Sequence, residues 1–141
     1  KAKSEVLRYE ILYQFGGVFV ENNIECAKSL DILNENLDFY AGLTDQIRTP
    51  RISAALIGSI PSHPILHDCL RNLRIRRPEH PGSSFLTQCF FSKVNKRDKL
   101  ASIALPATFF YPFPKEDLKD HDPNSLYKTT FAIRKWNTSL E

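Results

Sequence analysis

Two adjacent glycines, Gly16-Gly17, separate a segment of helical periodicity from a short run of strand formers. Folds in which a helix turns directly into a strand are therefore favoured. Upstream, residues 4–15 read as a helix. Ser4 can cap its start, and Glu5 lies near the positive end of its dipole. Val6, Tyr9 and Tyr13 form one apolar stripe, and Leu7, Ile11 and Phe15 a second, with Leu12 between them. So broad a face predicts a well-buried helix. Gly16 suits the left-handed position that ends a helix, and Gly17 is expected to permit close backbone approach. Val18-Phe19-Val20 reads as a central strand. Past its end come Glu21, Asn22, Asn23 and Glu25, an oxygen-rich cluster at the strand edge where open α/β sheets bind ligands.

The remaining chain alternates between the same two periods. Residues 30–33 suggest a short helical turn, and residues 38–43 and 52–60 suggest strands. Pro61-Ser62-His63-Pro64 is a loop with a helix start at its end. Helices are expected over 65–75 and 84–94, separated by the Pro/Gly-containing loop 78–83. A strand is expected at 103–105, followed by extended chain through Phe109–Pro112. A polar connection over 114–126 leads to the tail at 131–137. Alternating strands and helices give an α/β class. The strands are few for a self-contained doubly wound sheet, and the chain opens inside a helical pattern without Met. Both features lead to the expectation that sheet-forming chain lies upstream.

Composition narrows the function classes. The chain has 141 residues, enough for one domain, with 42% hydrophobic and 25% charged residues. Its net charge of +3, from 19 basic and 16 acidic residues, is too balanced to indicate a nucleic-acid binder. The basic run Arg71, Arg74, Arg76 and Arg77 suits an exposed helix end, with a phosphate or anionic membrane as the alternative contact. Three cysteines, Cys26, Cys69 and Cys89, lack CxxC spacing. This disfavours a zinc site or a disulfide framework and predicts ordinary buried thiols. No run of about 18 apolar residues is present, so no membrane span is expected in this chain. His63, His67, His80 and His121 show no metal-ligand spacing.

The segment from Ala2 through Leu33 resembles the sugar-binding region of glycosyltransferase family 32. That family carries the pattern A-x-x-S-D-x-x-R-Y-x-x-L-Y-x-x-G-G-x-Y-x-D-x-D. This chain matches without a gap at Ser4, Arg8, Tyr9, Leu12, Tyr13, Gly16 and Gly17, and its Ala2 stands one position after the pattern's Ala. Later pieces are similar in the same order: Ala55–Ser59 with His63-Pro64, Gly82 to Thr87, Leu105-Pro106 with Phe110-Tyr111-Pro112, and Phe131 to Leu140. The resemblance implies a GT-A fold whose amino-terminal nucleotide-binding half precedes Lys1. It also implies transfer of a sugar from a nucleotide sugar to a glycan, lipid or protein acceptor, with retention at the anomeric carbon, assisted by Mn²⁺ or Mg²⁺. The donor would be GDP-mannose, UDP-galactose or UDP-N-acetylglucosamine. The compartment would be the Golgi lumen in a eukaryote, or the cytoplasm or inner-membrane face in a bacterium.

The resemblance also assigns residues. Its D-x-D, which holds metal and diphosphate, is degenerate here as Glu21-Asn22-Asn23. Glu21 keeps a carboxylate on a longer arm, and Asn23 keeps an oxygen but loses the charge. Metal affinity should therefore fall. Glu25 would share a strand face with Glu21 and Asn23 and partly compensate. The family's nucleotide-facing Asp is Glu5 here, and the donor-site arginine is Arg8. The family's metal-proximal His aligns with Arg134, which cannot ligate a metal but can neutralise a diphosphate. Trp136 and Ser139 match the family; Trp136 is a core anchor or site residue, and Asn137 and Ser139 are either contacts to sugar or phosphate or ordinary loop residues. Two outcomes stay open: an active transferase with a re-tuned donor site, or an inactive binding or structural module.

Overall fold

A computed structural model describes residues 2–44, 49–94, 99–112 and 128–135. Helix α1, Ala2–Phe15, runs into Gly16, whose N–H donates to the Leu12 carbonyl at 2.8 Å. Gly16 has φ +65°, the left-handed stop expected of it. A Cβ here would lie 2.7 Å from Pro61 Cδ and 2.9 Å from the Ser59 carbonyl oxygen. Gly17, at φ +98°, has open space where a Cβ would stand. The close approach expected at Gly17 therefore belongs to Gly16, and Gly17 supplies only a backbone angle.

The chain continues as β1, Gly17–Val20, and β2, Ile24–Cys26, then α2, Asp31–Asn36, β3, Phe39–Leu43, and β4, Ile52–Ser59. Helices α3, Pro64–Arg76, and α4, Ser83–Val94, precede β5, Ser102–Leu105, and β6, Ala132–Arg134. The main sheet has the order β1-β4-β3-β5, with β1 and β3 antiparallel to β4 and β5 parallel to β3. The central place goes to β4, which is buried from Ile52 to Gly58. A continuous apolar run of small and β-branched residues suits a strand covered on both faces. Among the described residues β1 is an edge strand, and its residues are only partly covered. This corrects the expectation of a central strand there. β2 and β6 form a separate two-stranded antiparallel sheet.

α1, α3 and α4 pack on one face of the main sheet, with Tyr9, Leu12, Phe39, Ile57, Leu66 and Leu86 at the centre. The other face is closed by α2 and the 105–111 segment through Leu33, Tyr40, Leu105, Phe110 and Tyr111. Gly58 leaves room for the Tyr40 ring, whose Cζ would stand 2.1 Å from an added Cβ. Tyr40 donates to Asn34 Oδ1 at 2.8 Å, and buried Tyr9 donates to the Pro81 carbonyl at 2.9 Å.

Three further expectations change. α1 is not buried all round: Leu7, Ile11 and Phe15 stay 52%, 47% and 74% exposed. The Tyr9–Leu12 side alone meets the sheet, so the second stripe faces away from it. The Phe109–Pro112 segment is not wholly extended, because a 3₁₀ turn covers Ala107–Phe109, with Phe109 N–H bonded to the Pro106 carbonyl at 3.0 Å. Cys69 and Cys89 are buried thiols as expected, but Cys26 is exposed.

Gly16→Ala should lower stability by about 3 kcal/mol, and Gly17→Ala by about 1, because only the first adds a clash to a strained φ. Urea unfolding of both variants checks the ranking. Burial also raises the Tyr9 hydroxyl pKa well above its usual value and pushes Tyr40 up to about 12. The unfolded chain then loses these protons first. Stability should be whole below about pH 10 and fall as pH rises towards 12. Tyr40→Phe should flatten that fall in urea midpoints measured across the alkaline range.

Candidate functional site

The site forms where β1 ends. Glu21 N–H donates to the Ala55 carbonyl at 2.8 Å, holding the strand exit against β4. The chain then reverses, with Ile24 N–H bonded to the Glu21 carbonyl at 3.1 Å. This four-residue turn fits Asn22-Asn23, residue types that tolerate turn geometry. It also breaks the extension that would have placed Glu25 on one face with Glu21 and Asn23. Glu25 sits instead in β2, exposed, and pairs with Lys135 Nζ.

Glu21 is held from two sides. Arg8 Nη2, from α1, lies 3.4 Å from Glu21 Oε1, and Arg134 Nη2, from β6, lies 3.4 Å from Glu21 Oε2. Arg8 also donates from Nη1 to the Ala54 carbonyl, and its guanidinium lies 4.3 Å from the centre of the Phe19 ring. The three side chains are 8%, 31% and 21% exposed for Arg8, Glu21 and Arg134. Arg8 is therefore the buried support of the group, and Glu21 and Arg134 reach towards solvent. Helical spacing explains the placement, since Arg8 precedes buried Tyr9 and so leaves the α1 face that meets the sheet on the β1 side. Arg134 arrives through the β2–β6 ladder, in which it stands opposite Ile24.

Asn23 accepts Lys135 N–H at 2.7 Å through its backbone carbonyl. Its side-chain Oδ1 is buried without a hydrogen-bond partner, a state that polar groups rarely keep without a reason. Tyr111 is buried in the cluster on the α2 side of the sheet, within the electrostatic reach of Glu21 and Arg134. Burial pushes its hydroxyl pKa up, Ser53 and Arg134 pull it back, and Glu21 adds to the rise. Reasoning from sequence noted Tyr111 only within the Phe110-Tyr111-Pro112 segment and gave it no site role.

The structure thus gathers Arg8, Glu21, Asn23 and Arg134 around one turn. Glu5 lies elsewhere on α1, with a carboxylate oxygen 3.5 Å from where a Gly82 Cβ would stand. Trp136, Asn137 and Ser139 lie outside the described residues. Among the described residues no group of three or more His, Cys, Asp or Glu side chains gathers as a metal set. Three cations, Arg8, Arg134 and Lys135, pair with two carboxylates, Glu21 and Glu25. Net positive charge at a strand exit suits an anionic ligand.

Comparison with known proteins gives the same direction. No family model matches the chain. Over 71 residues, 50% of this chain, it is 34% identical to inositol phosphoceramide mannosyltransferase 1 of Schizosaccharomyces pombe, and it covers 21% of that protein. Over 71 residues it is 31% identical to inositol phosphoceramide mannosyltransferase 3 of the same yeast, covering 19% of it. Across 95% of its own length it is 24% identical to lactosylceramide 4-alpha-galactosyltransferase of Mus musculus, covering 40% of that protein. The chain therefore spans from about a fifth to two fifths of the length of these relatives. It is related, distantly and in part, to glycosyltransferases.

Glu21→Gln should cost about 2 kcal/mol, between exposed and buried ion pairs, because Arg8 would keep its charge with no counter-charge beside it. Arg134→Gln should cost under about 1 kcal/mol, since Arg134 is more exposed and Glu21 keeps Arg8. Urea denaturation of both variants measures the difference.

Proposed function

We propose that this chain is the donor-site part of a glycosyltransferase, and that it meets the nucleotide diphosphate with fixed guanidinium groups. The observation that supports this reading is the pairing of both Glu21 carboxylate oxygens with arginines, Arg8 on one and Arg134 on the other. A divalent cation wants several hard oxygen ligands. At this turn the carboxylate is already engaged by two guanidiniums, and Asn22 and Asn23 offer only neutral amide oxygens. These residues do not fit Mn²⁺ or Mg²⁺ well.

The chemistry needs positive charge in the same place. As a sugar leaves its nucleotide, the diphosphate gains negative charge, and preorganised donors that meet it lower the barrier. Arg134, held by Glu21 near solvent, presents a planar fork suited to phosphate oxygens. Arg8 is a positioning residue, buried under Glu21 and fixed to the sheet by the Ala54 carbonyl. Asn23 Oδ1 is an acceptor for a ribose or sugar hydroxyl. Glu5, Asn137 and Ser139 are proposed as outer contacts to the nucleotide or sugar on the resemblance alone, and retention at the anomeric carbon is proposed on the same ground. The relatives named above are a galactosyltransferase of lactosylceramide and mannosyltransferases of inositol phosphoceramide. We therefore take a hexose as the transferred sugar and a ceramide-based lipid as the acceptor class.

Calorimetric titration of the chain with UDP and with GDP tests the reading. Binding of one nucleotide in excess EDTA is expected, within about twofold of its affinity in Mn²⁺. Arg134→Gln should weaken it about tenfold, the loss of one charge-assisted contact. Binding seen only with Mn²⁺ would overturn the guanidinium reading. Failure of a folded chain to bind either nucleotide would overturn its assignment as a donor site. Binding without turnover, once the chain is assayed within its whole protein, would leave a binding module.

A further inference from the structure

Asp68, on α3, is a buried carboxylate that takes no part in the site at the β1 exit. It is 3% exposed and lies in the wall of a cleft of about 330 Å³ between α3 and α4. A carboxylate taken this far from water needs several partners. Asp68 Oδ1 accepts from Arg71 Nη2 at 3.2 Å and pairs with Lys93 Nζ at 3.7 Å. Its Oδ2 accepts from Asn72 Nδ2 at 3.1 Å and from Ser92 Oγ at 2.9 Å. One buried acid therefore ties α3 to the end of α4 and fixes two cations in the cleft wall. Each of those cations keeps further N–H donors that Asp68 does not use.

Arg76 lines the same cleft. It is exposed and, among the described residues, makes no hydrogen bond or ion pair. Arg71, Arg76 and Lys93 thus set three full positive charges against the single negative charge of Asp68. The carboxyl end of α3 adds a partial negative charge of about one half, too little to cancel that surplus. The rest of the wall has a different character. Phe85 offers an apolar surface, and the amide of Gln88 can meet a hydroxyl. The volume falls at the lower end of the range for small-molecule sites. A cleft of this size and charge suits a compact anion that also carries neutral polar groups.

We propose that the α3–α4 cleft binds the phosphate monoester of a small polyol. The phosphate oxygens meet Arg76 and the Asp68-held Arg71 and Lys93, and a polyol hydroxyl meets Gln88. Guanidinium forks suit phosphate oxygens, and Lys93 adds a point charge. Asp68 is a positioning residue, because it holds two of the three cations before a ligand arrives. Two sources share this chemistry, a soluble sugar phosphate and a phosphorylated inositol lipid headgroup. No residue of the cleft belongs to the group around Glu21, so the proposal stands apart from the donor-site reading.

Calorimetric titration of the folded chain with glucose 6-phosphate, at about 150 mM salt, tests the soluble source. Saturable one-to-one binding with a Kd of about 1 mM or tighter is expected, and none with glucose. Arg76→Gln should weaken it about tenfold, the loss of one charge-assisted contact, without moving the urea midpoint. Arg134→Gln should leave it unchanged. Sedimentation with phosphatidylcholine vesicles containing phosphatidylinositol 4-phosphate tests the lipid source, against vesicles of equal charge made with phosphatidylserine. Preference for the phosphoinositide vesicles, lost in Arg76→Gln, supports the cleft with a lipid headgroup as its ligand. Binding of glucose 6-phosphate without that preference supports it with a soluble ligand. Failure of both probes to bind would overturn the proposal. So would equal sedimentation with both vesicle types and no soluble binding, or binding that Arg76→Gln spares.

Discussion

The Glu21 carboxylate, held between Arg8 and Arg134, is the interaction on which the arrangement of the site depends. It requires three distant stretches of chain to converge. α1 must reach the sheet with Arg8 inward, which needs the left-handed stop at Gly16 and the close approach there to Pro61. β1 must end at Glu21 and turn at once, which Asn22 and Asn23 permit. The last strand, β6, must return beside β2 to bring Arg134 opposite. A buried guanidinium such as Arg8 is costly without a partner. Its hydrogen bond to the Ala54 carbonyl, the Phe19 ring and Glu21 offset that cost, while its Nε is left buried without a hydrogen-bond partner.

This arrangement changes the chemistry expected of an acidic strand exit. Two carboxylates at a turn invite a hard cation, whereas one carboxylate between two arginines leaves net positive charge. On the proposed reading an anion would be met by groups that need no metal, and binding would survive a chelator. Tyr111, buried within electrostatic reach of Glu21 and Arg134, is held neutral by burial and adds no negative charge.

Much of the fold was legible in sequence because local signals agreed with one another. The helix ending at Gly16, the apolar run of β4 and the His63-Pro64 helix start each combined periodicity with a stop or a cap, and each formed as expected. What escaped was set by neighbours distant in sequence. Nothing in Val18-Phe19-Val20 says that β4 covers only one of its edges. The exposure of Leu7, Ile11 and Phe15 follows from which side of α1 meets the sheet, and periodicity alone does not choose. Of the site, Glu21, Asn23, Arg8 and Arg134 were named from sequence, but their pairing was not. Glu25 was misplaced because an extended chain was assumed where the turn intervenes. Tyr111 was missed because an aromatic in a Phe-Tyr-Pro run is equally at home in a core.

A metal-free donor site requires Glu21 to stay committed to its arginines. Equilibrium dialysis of the folded chain against Mn²⁺, compared with Glu21→Gln, addresses this directly. Weak, non-stoichiometric uptake that is the same in both proteins is the predicted result. One-to-one uptake at micromolar Mn²⁺, abolished by Glu21→Gln, would mean that the carboxylate leaves its guanidiniums for a metal, and would contradict the account.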